Sequence, residues 1–155
     1  MKSILIVSEE HSENLGDGVI SHVAKEAFKN VGEFPVRHLD ISYIKWIIRK
    51  IPMLEIFMRK ISERFYCRVV YVLTIFWLNI RYRSVNRIIF AGGAILQDYF
   101  MDSVLATIKF ANDRKIKVCF FSVGYAKISS HYLSDLQILL KDNHQVAFTT
   151  RDNLE

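Results

Sequence analysis

A chain of 155 residues, 51% hydrophobic and 24% charged, has the make-up of one globular domain, long enough to bury a core without staples. Its two cysteines, Cys67 and Cys119, each sit among apolar neighbours, which argues against a disulfide framework and for inert thiols in a reducing cytoplasm. The formal charge of +5 is concentrated: Tyr43 to Arg87 carries ten Lys/Arg against two Glu, a net +8, leaving −3 for the rest of the chain.

The opening MKSILIVS lacks the apolar length and small-residue cleavage site of a signal peptide. Lys2 to Ser8 reads instead as a strand covered on both faces. A polar loop follows, and Asp17 to Val31 then spaces Val19, Ile20, Val23, Ala24, Ala27 and Phe28 as a helix, with Gly32 as its stop. FPVRHLD is a second short strand with Pro35 at its start. Ser42 to Arg83 reads as two or three helical pieces broken near Pro52. RIIFAGG is a third strand, AILQDYFMDSVLATIKFANDRK a helix, and KVCFFSVG a fourth strand. SSHYLSDLQILLKDN is a helix capped by Ser129 or Ser130, and QVAFTT is a fifth strand. The alternation predicts a single α/β domain over 1–155. Its core is a Rossmann-like parallel sheet of about five strands with helices on both faces and right-handed crossovers. The irregular basic and apolar segment, about 43–85, is a helical insertion in it.

In a parallel sheet all carboxyl ends share one edge, and ligands bind in the crevice outside it. Four polar motifs fall on that edge: Asn14, Gly16 and Asp17 after the first strand; Gly92, Gly93, Gln97 and Asp98 after the third; Gly124 after the fourth; Arg151 and Asp152 after the fifth. Glycines permit tight turns and close backbone approach, and helix amino termini there suit an anionic group. Each motif also has a purely structural explanation. Asp17 can cap a helix, Asn14 can close an Asx-turn, the glycine pair can turn the chain, and Arg151 and Asp152 can form a salt-bridged helix start. His11 shares the first loop with Glu9, Glu10 and Asp17, and reads as an exposed loop histidine. Neither a P-loop nor G-x-G-x-x-G is present, and the histidines and cysteines show no metal-ligand spacing.

N-x-G-D after the first strand, a glycine pair with LQD after a middle strand, S-V-G after the next and RD after a following one resemble the polysaccharide pyruvyl transferase family. The likeness keeps this order over nearly the whole chain. It implies the amino-terminal half of a two-domain, glycosyltransferase-type fold. The implied reaction moves a pyruvyl group from phosphoenolpyruvate onto two hydroxyls of a sugar as a ketal, in building a cell-surface polysaccharide. Phosphoenolpyruvate is then the donor substrate, no separate cofactor is implied, and the acceptor is a sugar or lipid-linked glycan. Asp17 or Asp98 would act as base towards a hydroxyl. Arg151 and the helix starts near Gly16 and Gly93 would hold anions or hydroxyls, and the other motif residues would line the substrate. The family's third glycine in the middle motif is Ala94 here. Its second α/β domain does not follow Asp152 within the sequence, so the expectation is a half-site, inactive alone and completed by a second domain or chain. Two alternatives stay open: a non-catalytic α/β binding or assembly module that forms homo-oligomers, and a small enzyme acting on another phosphorylated ligand.

The basic segment has no uncharged run longer than the 12 residues from Val69 to Ile80, short of the ~20 needed to span a bilayer. Two readings remain. Its helices pack into the core with Lys and Arg stems reaching water, or they form an interfacial patch at the inner face of an anionic membrane, with Trp46, Trp77 and tyrosines beside cations. No nucleic-acid-binding module is recognisable, so nucleic acid is not an expected partner.

Overall fold

The computed structural model describes residues 2–9, 15–31, 34–124, 126–141, 143 and 146–150. In chain order the elements are β1 (Ser3–Ser8), α1 (Leu15–Val31), β2 (Val36–Asp40), α2 (Tyr43–Arg49), α3 (Pro52–Ile61) and α4 (Glu63–Arg81). They continue with β3 (Val85–Ala91), α5 (Asp98–Asp113), β4 (Lys117–Val123), α6 (Ser130–Lys141) and β5 (Val146–Thr150). The five strands form one open, all-parallel sheet in the order β2-β1-β3-β4-β5. The α/β class expected from the alternation is therefore the observed one.

Strand alternation sends side chains to two faces. On one face Ile6 and Ala91 meet Ala24, with Phe28 packed against them, so α1 lies there. On the other, Leu5, Val7, Ile88, Phe90, Val118 and Phe120 form the main core with residues of α4, α5 and α6. Phe90 and Phe120 stack there with ring centroids 4.7 Å apart. Helix α5 is the centre of this layer: every residue from Phe100 to Ile108 is buried.

Two local findings refine the expected boundaries. The helix expected from Ala94 starts at Asp98, because Gly92 (φ 76°) and Gly93 (φ 59°) turn the chain left-handed and Gln97 is still extended. The insertion is three helices. Pro52 opens α3 at a position where its missing N–H costs nothing. Ser62 ends α3 and caps α4, its hydroxyl accepting from Arg64 N at 3.2 Å. Ile44, Ile48, Met58, Tyr66 and Val70 form a small core of their own under these helices. Among the described residues, no helix is long and apolar enough to cross a membrane.

Candidate functional site

The strand order reverses between β1 and β3, whose carboxyl ends flank the crevice where a parallel sheet of this order binds ligands. Gly92, Gly93 and Gly124 meet there. A Cβ on Gly92 would fall 2.2 Å from Cγ2 of Ile20, so its bare backbone is what lets α1 close on β3. Gly124 N donates to Gly93 O at 2.9 Å, and a Cβ on Gly124 would press on that same oxygen at 3.3 Å. Together the three glycines stitch the ends of β3 and β4 to each other and to α1.

Gly16 and Asp17 lie in the first turn of α1, which starts at Leu15, so Asp17 falls inside the helix rather than at its cap. Asn14, Arg151 and Asp152 lie outside the described residues, as do Glu10, His11 and Gly32. Gln97 is the residue before α5; its carbonyl accepts from Phe100 N at 2.9 Å. Asp98 has a defined task. Ser129 donates to it through its backbone N–H at 2.6 Å and through its hydroxyl. These bonds from the Ser129 hydroxyl and backbone hold the Asp98 carboxyl below the usual carboxylate range. The anion at the start of α6 is thus the protein's own Asp98.

Three features of this edge carry no obvious sequence motif. Ser8 Oγ, at the end of β1, is 2.7 Å from both Ser21 Oγ of α1 and His38 Nε2 of β2. Ser122 holds φ 52°, where the register of β4 and β5 shifts; its N–H donates to Thr149 Oγ1 at 3.0 Å. A non-glycine residue in this strained region beside a bulge is a feature that clusters at functional sites.

The third is a groove of about 950 Å³ lined by the starts of α2, α4, α5 and α6. Its lining includes Lys45, Tyr66, Cys67, Tyr99, Asp102 and Tyr132. Lys45 and Asp102 form an ion pair at 3.4 Å with side chains only 6% and 5% exposed. Lys45 Nζ also donates to the carbonyl of Tyr99 and lies 4.6 Å from the centre of that ring. Tyr132 Oη donates to Asp102 Oδ1 at 2.7 Å and lies 3.6 Å from Cys67 Sγ. Burial, then the bond to Asp102, drives the Tyr132 phenol far above its ordinary pKa, so it stays a donor. Burial also raises Cys67, which remains a thiol at neutral pH. Both cysteines are free and half-buried rather than fully enclosed. The Tyr66 hydroxyl is buried with no hydrogen-bond partner among the described residues.

One signal could have found this network. Asp102 is a carboxylate inside the apolar run FMDSVLA of a helix, and a buried carboxylate demands a cation. Its partner, Lys45, belongs to a basic run whose stems are expected to reach water, and only its packing against Asp102 buries it. Among the described residues no group of three or more His, Cys, Asp or Glu is placed to hold a metal ion. No family model matches the chain, and neither does any curated protein or solved structure.

Proposed function

We propose that this chain provides the carboxyl-edge wall of a transferase acting on a phosphorylated donor, in the manner of the pyruvyl transferases its motifs resemble. The observation that supports it best is the meeting of Gly92, Gly93 and Gly124 at the strand-order reversal, where Gly92 packs on Ile20 of α1. Closely approaching glycine backbone at a strand-order reversal suits a ligand such as a phosphate or carboxylate. In the proposed reaction one sugar hydroxyl adds to C2 of phosphoenolpyruvate as C3 gains a proton. A second hydroxyl then displaces phosphate from the same carbon, its proton leaving with the phosphate, and a ketal results. The two roles the chain would fill are a base towards a hydroxyl and a holder of anions. Asp98 is already bonded through both oxygens, so the base role falls to Asp17, with Arg151 as the cation. A second α/β unit would supply the facing wall, and a sugar or lipid-linked glycan the hydroxyls.

Isothermal titration with phosphoenolpyruvate, using inorganic phosphate and nucleotide sugars as comparators, tests the reading. Saturable binding of phosphoenolpyruvate that weakens about tenfold or more in Arg151→Ala is the expected result, the loss of one charge-assisted contact. Unchanged binding in Arg151→Ala, or no heat with phosphoenolpyruvate, rejects it. The engagement of Asp98 favours one second reading, a binding module without a free base. Binding of a nucleotide sugar alone, with Asp17→Asn unaltered, would select it.

A further inference from the structure

Burial along the insertion is one-sided. Helix α2 turns Ile44, Lys45 and Ile48 inward, α3 buries only Met58, and α4 buries Tyr66, Val70, Thr74 and Leu78. The outward faces are apolar as well. Met53 is 84% exposed, Phe57 62% and Phe76 61%, and Trp46, Ile56 and Ile61 are exposed beside them. Exposed apolar area gathered on three successive helices marks an interaction surface.

Charge identifies the kind of partner. Glu55 and Glu63 are the only acids between residues 43 and 87, and both bond to Arg59, at 3.1 and 2.8 Å. None of Lys50, Lys60, Arg64, Arg68 and Arg81 forms an ion pair among the described residues, although Arg64 and Arg68 also line the groove. Lys50 Nζ lies 4.7 Å from the centre of the exposed Trp46 ring, and Arg81 lies over Trp77 at 6.0 Å. The exposed Trp46 indole beside Lys50, next to an apolar face, matches the headgroup boundary of a bilayer, where rings enter the interface and cations meet phosphate, whereas Trp77 is half-buried and packed against the core. A second copy of the chain fits less well. A two-fold pairing through this face would set the same cations against each other. Crossing the bilayer is excluded for the described helices, since none is long and apolar enough.

We propose that the outward faces of α2, α3 and α4 form a docking surface for an anionic lipid bilayer, on which these helices lie in the interfacial plane. The ten residues of α3, ~15 Å of helix, lie flat with Met53, Ile56 and Phe57 towards the acyl boundary. The inference stands on burial and charge alone and does not depend on the transfer reaction.

Vesicle flotation of the full chain tests it, with phosphatidylcholine vesicles against phosphatidylcholine containing phosphatidylglycerol. The expected result is binding to the anionic vesicles, little to the neutral ones, and weakening with salt. In a Trp77→Phe background, Trp46 emission shifts to the blue on binding. Lys60→Gln and Arg64→Gln each lower the partition coefficient about fivefold, and Met53→Ser with Phe57→Ser abolishes the blue shift. Far-UV circular dichroism separates loss of binding from loss of fold at these exposed positions. Failure to float with anionic vesicles overturns the proposal, as does equal affinity for neutral vesicles or parent-like binding by all four substitutions. A concentration-dependent oligomer broken by Phe57→Ser, without vesicle binding, would assign the face to a second copy. Binding to polyglutamate but not to vesicles would assign it to an acidic protein.

Discussion

Asp102 sits in the second turn of α5 with Met101, Ser103 and Val104 buried around it, and a carboxylate there is tolerable only against a cation. Lys45 supplies the cation, and Tyr132 takes one of the carboxylate's oxygens. Removing one partner strands the other. Asp102→Ala is expected to destabilise the fold by about 3–5 kcal/mol, because Lys45 is left buried without its counter-charge. Lys45→Met combined with Asp102→Leu should recover most of that loss, and urea unfolding of the parent, Lys45→Met, Asp102→Leu and the pair, as a double-mutant cycle, measures the coupling. Asp98 behaves differently because its tie to Ser129 depends on ionisation. Its carboxyl is held below the ordinary range in the folded state, so the folded protein binds that proton less readily than the unfolded chain. The stability it contributes is complete above about pH 4 and is lost as pH falls through its lowered value. Asp98→Asn should therefore lower the thermal midpoint at neutral pH and converge with the parent at the acid end of a pH series.

At the level of elements, the turn after β3 shows how one glycine sets helix packing. Gly92 has φ 76° and its missing Cβ leaves room for Ile20 of α1. Gly92→Ala is expected to be destabilising through both causes. Adding Ile20→Ala removes the 2.2 Å contact with Cγ2 but keeps the 2.8 Å contact with the Ile20 Cβ, so, measured against Ile20→Ala alone, Gly92→Ala should regain only part of its loss in unfolding free energy and stay above the left-handed backbone cost of about 1–2 kcal/mol. The sequence marks this place as a glycine turn, but it extends the helical pattern back to Ala94. Four residues of that pattern, Ala94 to Gln97, are spent instead on reaching the start of α5. The insertion shows the same division. Pro52 and Ser62 punctuate it as their chemistry requires, and its apolar spacing is helical throughout. Which apolar face is covered does not follow from that spacing, since apolar residues occupy both sides of α3 and α4.

For the whole molecule, the order β2-β1-β3-β4-β5 turns scattered polar motifs into neighbours. A strand order of this kind has one reversal, and the glycine-bearing ends of β3 and β4 lie next to it. The cavity of about 950 Å³ is lined by residues of α4, α5 and α6, on the sheet face those helices cover. The proposed membrane face belongs to the same layer of helices, formed by α2, α3 and α4. The glycine-lined reversal, the buried polar network and the exposed apolar face of α2, α3 and α4 are therefore three consequences of one topology.

The sequence by itself determined the α/β class, the alternation of strands and helices, and the glycine turns at the carboxyl edge. These follow from short-range periods and from residues whose backbone freedom is intrinsic. Gly92, Gly93, Gly124 and Asp98 were legible for that reason. Only the tertiary structure decided that Asp98 is tied to Ser129, that Lys45 is buried against Asp102, and that Ser122 is strained beside Thr149. It also decided that Met53 and Phe57 face outward while Met58 faces the core. The physical reason is common to all of them. A local pattern fixes the faces of an element, whereas burial, ion pairing and strain depend on which distant element comes to lie against each face.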